Sequence, residues 1–439
     1  MKEIKQETIN KLNKKVEEKK VQVALRRVLF KNQLQGIFEK QEEEQNLQFY
    51  FSNEIKTLPI TNQRQSGRCW IFAGLNVLRE EVAKKHNLKT FELSQNYTAF
   101  WDKFEKINYF IESVEDFLEA DYDDRTFQHI LKTGIQDGGQ WDMFVSLVKK
   151  YGIVPKYVMP ETTTSSNTRF MNQIINLKLR KYVAEIRKLH SQKKDFKKLK
   201  ETVLEELYTF LVSCFGLPPT KFDFEYKVDE KYEIIKNLTP LKFFNEHVGD
   251  NLDDYVSIIN APTFDKPYMK TYTVEYLGNV VGGKDIKYLN LKMEELKELT
   301  IKQLVSGEVV WFGSDVSSYG NRQKGYWDDN NFDYETLLEM DLKMEKDDQL
   351  LYAQGAMNHA MVITGVHLDD NKPTKFKIEN SWGEENGDKG YFITSNSWFD
   401  KYVYQSIIHK KYLTKEQLEA WNLKPISLKP WDPMGSLAK

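Results

Sequence analysis

The stretch QRQSGRCWIF (residues 63–72) contains one of only two cysteines in the chain. Its reading decides the fold. Cys69 is either a small buried hydrophobe at the start of an apolar helix or a nucleophile. A free thiol has a pKa of about 8.5 and is mostly protonated at neutral pH. To attack a carbonyl it needs a base nearby and a field that favours thiolate, such as a helix N-terminus. From Cys69 to about His86 the pattern turns helical. Leu75, Leu78 and Val82 share one face, while Arg79, Glu80, Glu81, Lys84 and Lys85 read as solvated. Ser66-Gly67 reads as a cap and turn ahead of this helix, and Asn87 as a left-handed cap behind it.

A base must come from elsewhere. There are seven histidines, most of them in charged or mixed helical surroundings. His359 differs, because it opens a strand pattern, HAMVITGVHL, that reaches a turn at DDNKP (369–373) and returns as TKFKIEN. On the return, Phe376, Ile378 and Asn380 share one face and Lys375, Lys377 and Glu379 the other. A hairpin centred between Asp369 and Asp370 pairs residues whose numbers sum to 739. That sets His359 directly opposite Asn380, with Cβ atoms about 5 Å apart. The asparagine oxygen would then accept a ring N–H, fix the tautomer and aim the other nitrogen at Cys69. A slip of one residue would break the face match. Two donors are candidates for the oxyanion of a tetrahedral intermediate: the backbone N–H of Cys69 and the side-chain amide of Gln63. Losing one such donor costs about 3–4 kcal/mol of barrier.

The bulk properties agree with a soluble enzyme. The chain has 439 residues, 40% of them hydrophobic and 13% aromatic, enough for a sizeable core. A formal net charge of −2 gives no bulk attraction to nucleic acid or an acidic membrane. The N-terminus is charged throughout, with no apolar signal segment, and no apolar run approaches the roughly 18 residues of a membrane span. With only two cysteines, the expected location is the cytoplasm. CxxC, HExxH, GxxxxGK[ST] and GxGxxG are absent, so neither a metal nor a cofactor is expected.

Helical patterns come first and strands later, which argues for an α+β fold. The expected organisation is a helical extension over 1–60, a helical half carrying the nucleophile over 61–160, an inserted helical subdomain over 161–255, and a β-rich half carrying His359 and Asn380 over 256–414. Residues 415–439 form a C-terminal segment. Within the insertion, residues 178–200 carry ten Lys and Arg against two acids. This run reads as a solvated helix face, a positive channel lining or a weak nucleic-acid contact. It lacks the interleaved aromatics of a single-strand stacking platform. Cys214, in FLVSCFG, reads as a buried structural residue.

Three separate blocks carry a resemblance. QRQSGRCW resembles the Gln-x5-Cys-Trp block of papain-like cysteine peptidases, NHAMVITGV their histidine strand, and NSWG (380–383) their Asn-Ser-Trp-Gly block. DGGQWDMFVSLVKKYGIVP is similar to the Gly-Gly segment and following helix of that fold. LSQNYTAFWDKFEKINYF, YGIVPKYVMPET, TYTVEYLGNVVGGKDI and the ending DPMGSLAK resemble the bleomycin hydrolase and aminopeptidase C branch. The resemblance implies a papain-like fold, a helical half packed on an antiparallel, barrel-like β half, with a large helical insertion and a C-terminal arm reaching the active site. It implies Cys69 as nucleophile, His359 as acid/base, Asn380 as the residue that orients it, and Gln63 in the oxyanion hole. Trp70 follows the nucleophile, and Trp382 shields the His–Asn bond. Gly138 and Gly139 would line the non-primed side, where bare backbone pairs with extended peptide; a plain turn is the alternative.

The resemblance further implies an aminopeptidase of broad specificity that acts on peptides as a homohexameric ring. The terminal carboxylate of the arm would capture the substrate ammonium. Lys439 would be removed by the enzyme itself, leaving Ala438 as that carboxylate. Other readings are hydrolysis of a non-peptide amide, a nucleic-acid-binding ring using the basic run, and an inactive scaffold. Where secreted papains carry a second cysteine, three residues before the nucleophile, this chain has Ser66.

Overall fold

Charge dictates how the chain begins. Helices Gln6–Glu18 and Lys20–Leu29 are almost wholly exposed, and only Leu25 of the two is buried. The structure, a computed structural model, describes residues 1–40, 47–249 and 252–438. The acidic run 41–46, within the expected helical extension over 1–60, lies outside the described residues, and so does Lys439.

Four helices build the next layer: Cys69–His86, Gln95–Glu115, Arg125–Thr133 and Trp141–Tyr151. The first is its axis. Ile71, Phe72, Leu75, Leu78 and Val82 are sealed from solvent, and each such burial is worth about 1.5–3 kcal/mol. The buried surface is wider than one stripe, because residues 69–76 are all covered. The helix is sandwiched between the helical half and the sheet, so a one-sided amphipathic pattern understates its burial. Arg79, read as solvated, is buried and pairs with Glu379 at 2.9 Å. It also donates to the carbonyls of Pro59 at 2.9 Å and Leu58 at 3.1 Å. The basic last turn and Asn87, at φ 51°, close the helix as the sequence predicts.

Residues 161–255 contain the long helices Arg169–Ser191 and Lys197–Phe215, a two-stranded hairpin (Phe222–Val228 with Lys231–Leu238), and the helix Pro240–His247. The composition did not announce the hairpin. From Tyr255 onward the chain is built mainly of strands. At the centre of one large sheet, His359–Asp369 pairs antiparallel with Val310–Ser314 on one side and Lys372–Glu379 on the other. Most pairings are antiparallel. Three short ones are parallel: Tyr255–Ile259 with Tyr288–Asn290, Ile426–Leu428 with Lys270–Val274, and Tyr326–Trp327 with Tyr391–Ser395. The result is the expected α+β architecture. Among the described residues, no helix is long and apolar enough to cross a membrane.

The catalytic hairpin corrects the predicted register. Its turn residues are Asp370 and Asn371, both with positive φ, as a two-residue primed turn requires. The centre therefore lies one residue later than predicted. At the far end Val362 stands opposite Glu379, so paired numbers sum to 741 rather than 739. A shift of two preserves the faces, so Asn380 still points where the alternation put it. Between the ends the ladder slips twice, near Thr374 and near Thr364, and the two irregularities cancel. His359 and Asn380 are thus diagonal neighbours rather than directly opposed.

Candidate active site

Cys69 is the first residue of its helix. The N-cap is Arg68 rather than Ser66, and no side chain caps this end. Ser66 bonds locally instead: its hydroxyl donates to the carbonyl of Gln63 at 2.7 Å and accepts from Arg68 Nε at 2.9 Å. Arg68 is fully buried and grips Glu161 with both terminal nitrogens, at 3.1 and 2.9 Å. The turn before the nucleophile is therefore held rigidly from below. The amides at the helix start remain free of side-chain caps, which suits them to anion binding.

The Cys69 sulfur accepts the amide N–H of Ala360 at 3.4 Å. This contact joins the helix start to the first strand residue after His359. Burial pushes the thiol up to about 11, against the amides of Ala360, Trp70 and Cys69, which favour thiolate. His359 is also buried. Its Nε2 donates to Asn380 Oδ1 at 2.9 Å, and the amide of Ser381 donates to the same oxygen at 2.8 Å. An oxygen with two such donors is an acceptor only, so it fixes the proton on Nε2 and leaves Nδ1 as the base. Burial lowers His359 to about 4, opposed by the Asn380 bond and aided by the positive charge of Arg322. The indole of Trp382 stacks on the imidazole at 4.8 Å, and the Arg322 guanidinium lies over that indole, 4.6 Å from its centroid.

Gln63 is buried at the mouth of the site. Its amide nitrogen donates one proton to the Ser66 carbonyl at 2.7 Å, and its oxygen accepts from Ser381 Oγ at 2.6 Å. The second amide proton is left for a ligand. Cys69, His359, Gln63, Gly67, Gln136, Asp137, Gly138 and Asn172 line one cavity of about 290 Å³. The arm residues Ser436 and Leu437 line it too.

For Gly139 the local reason for glycine is packing. A Cβ there would lie 2.4 Å from the indole of Trp70. Trp70 in turn donates Nε1–H to the carbonyl of Asp137 at 2.7 Å. Gly138 borders the cavity itself, whereas Gly139 backs onto Trp70. Ala438 is buried but borders a neighbouring cavity, with Lys106, Tyr109, His129 and Gln136. Gln136 is common to both cavities.

Sequence reasoning missed Asp137. Its carboxylate accepts the Gly67 amide at 3.0 Å, Lys103 Nζ at 2.6 Å, Asn172 Nδ2 at 2.9 Å, and the hydroxyl of Thr168. Lys103 and these donors hold it well below the usual carboxylate range despite its burial. The signal was an acid directly preceding two glycines, in DGGQW. Ser381, inside NSWG, and Arg322 were missed as well; nothing local to Arg322 marks it. Cys214 is free and buried, in keeping with a structural residue.

The chain matches known proteins along almost its whole length. A family profile described as Peptidase C1-like family matches residues 3–435. Aminopeptidase C of Lactobacillus delbrueckii subsp. lactis is 48% identical over 416 residues, covering 92% of this chain and 93% of that one. Aminopeptidase C of Listeria innocua is 44% identical, covering 99% of both chains. The solved structure of PepW from Lactobacillus rhamnosis superposes with a TM-score of 0.97 at 48% identity, covering 99% of each chain. With the nucleophile, base and oxyanion donor lining one cleft, the orienting amide bonded to the base, and matches of this extent, the chain belongs to the Peptidase C1-like family of papain-like cysteine peptidases.

Proposed function

We propose that this cysteine aminopeptidase works through an acyl-enzyme on Cys69, accepts peptides with varied N-terminal residues, and acts in the cytoplasm. The observation that carries the reading is the arm: Ser436 and Leu437 border the same cavity as Cys69 and His359. On the side expected to take the N-terminal part of a peptide, the arm occupies the path a longer chain would follow. The nucleophile then reaches only the first peptide bond.

The steps follow from the atoms present. The Cys69 sulfur attacks the carbonyl carbon as its proton passes to His359 Nδ1. The Cys69 amide and the free Gln63 proton hold the oxyanion. His359 returns the proton to the leaving amine, and the shortened peptide departs. Water, deprotonated by His359, then cleaves the thioester and frees the N-terminal residue. Free and N-acetylated aminoacyl fluorogenic amides test this directly. Wild-type protein turns over the free form alone, and alkylation of the thiol or Cys69→Ala abolishes it. Equal turnover of the acetylated form would overturn the aminopeptidase assignment. A burst of released fluorophore equal to the enzyme concentration is the expected mark of the acyl-enzyme.

We also propose a homohexamer. Its support here is the helix Gln6–Glu18, on which Ile9, Leu12 and Val16 form an exposed apolar stripe. Light scattering of wild-type protein and of Leu12→Glu, Val16→Glu protein checks it; an unchanged mass removes this stripe as the contact. Weak nucleic-acid binding by the basic run has less support. Arg180 and Arg187 spend their donors on backbone carbonyls, and Lys178 and Lys200 pair with glutamates.

A further inference from the structure

The arm must hold its place for the enzyme to count from a terminus, and the sequence KPWDP (429–433) shows where it is held. Two prolines flank Trp431-Asp432 and fix φ on both sides. Before them, Ile426–Leu428 is a strand of the sheet; from the second proline on, Pro433–Ala438 is a tight turn whose Ser436 and Leu437 line the cleft. Asp432 is the joint between the two. One carboxylate oxygen accepts the Met434 amide at 2.9 Å and shapes the turn. The other pairs with Lys266 Nζ at 3.0 Å. The side chain of Lys266 is only 3% exposed and that of Asp432 only 11%. By contrast the ion pair Lys429–Glu275 has its lysine 64% exposed.

Beyond the joint, the hydrogen bonds of the described residues are neutral. The Met434 carbonyl accepts from Tyr288 at 3.2 Å and Gln140 at 3.5 Å, and Ser436 Oγ donates to the Met357 carbonyl at 2.7 Å. Gln140 adjoins the glycine segment, and Met357 lies two residues before His359. The arm therefore touches both walls of the cleft, and the buried Lys266 ammonium, held from its own loop by Asp265 at 3.1 Å and bonded to Asp432 at 3.0 Å, sets the direction in which it leaves the sheet. Replacing Lys266 leaves the Asp432 carboxylate, only 11% exposed, without its cation, which costs more than losing a surface bridge.

We propose that Lys266 and Asp432 form a latch that positions the arm, and so confine the enzyme to substrates with a free N-terminus. The proposal rests on the reading of the arm as the stop that makes the enzyme an aminopeptidase. Lys266 does not touch the reacting atoms; it acts through the arm. Without the latch the joint turns, the turn 433–438 leaves the cavity, and longer or N-blocked peptides enter.

The test compares four proteins: wild type, Lys266→Met, Lys266→Arg, and a form truncated after Gly435. Each is assayed on a free aminoacyl amide and on an N-acetylated peptide amide, with thermal unfolding recorded. Truncation is expected to create cleavage of the blocked peptide. Lys266→Met is expected to raise the ratio of blocked to free kcat/KM at least tenfold, and Lys266→Arg to restore it. A purely structural role for Lys266 lowers both rates together and leaves the ratio unchanged. If truncation opens the site and Lys266→Met does not change the ratio, the latch is wrong while the arm reading stands. If truncation itself gives no cleavage of blocked peptide, the arm reading fails first.

Discussion

His359 carries the pH dependence at the scale of single residues. It must accept a proton from Cys69, so the protonated ring is inactive. Its value near 4 places the acidic limb of kcat/KM well below the ordinary histidine value of about 6.5. The Arg322 guanidinium, which lies over the Trp382 ring, contributes to that lowering. Arg322→Glu should therefore move the acidic limb upward, and added salt should shrink the difference because Arg322 is exposed. A pH–rate profile in which the variant and wild type coincide at low salt would refute the charge coupling. Gln63 makes a second point. Gln63→Glu removes the free amide proton and sets a negative charge where the oxyanion forms, so kcat should fall by about 10²–10³ or more. Iodoacetamide should still alkylate Cys69, because the thiol remains in place. Loss of alkylation together with turnover would mean the substitution collapsed the turn rather than emptied the oxyanion hole.

The helix and the hairpin meet at the element scale through charges that the sequence reading assigned to solvent. Arg79 bridges the cysteine helix, the extended approach at Leu58-Pro59, and Glu379, the residue before Asn380. Arg79→Met strands a buried Glu379 and should cost about 3–5 kcal/mol in denaturant unfolding. Glu80 sits beside the same pair, and burial lifts it to about 7. A carboxyl raised in the folded state binds a proton more tightly there than when unfolded. Its contribution is therefore most favourable below about 4.5 and is lost as pH rises through 7. Glu80→Gln should raise Tm at pH 8 relative to wild type and leave it nearly unchanged at pH 5, less whatever the Leu58 amide loses as a partner. The same elements show what alternation can and cannot reveal. Side-chain faces follow a period of two, so Asn380 was legible as inward. Register depends on where the turn falls and on bulges, and neither Asp370-Asn371 nor Thr364 announces itself against DDNKP and VITGV. The burial of Arg79 was illegible for a related reason: a helix covered on both sides buries its polar positions too, and only the partner Glu379, 300 residues away, explains it.

Across the whole molecule, the catalytic blocks were legible because each needs particular atoms at short range, whereas the way the insertion supports them was not. Thr168 and Asn172, at the start of the inserted helix Arg169–Ser191, both donate to Asp137. Asp137 in turn holds the Gly67 amide, two residues before the nucleophile. Gly67 has no room to spare, since a Cβ there would lie 2.9 Å from Asp137 Cβ. The insertion is thus part of the scaffold of the oxyanion turn as well as an appendage. Hydrogen bonds to a charged group are worth about 1.5–3 kcal/mol each, so Thr168→Val and Asn172→Ala should each lower stability by about that much. They should also lower kcat more than they raise KM, because a loosened Gly67 turn misplaces the donors that matter only when the oxyanion forms. Asp137→Ala should be harsher, leaving Lys103 buried beside an empty space. Steady-state kinetics with unfolding on the three variants decides the matter. Variants that lose stability but keep wild-type kcat would show that the insertion merely rests on the catalytic turn.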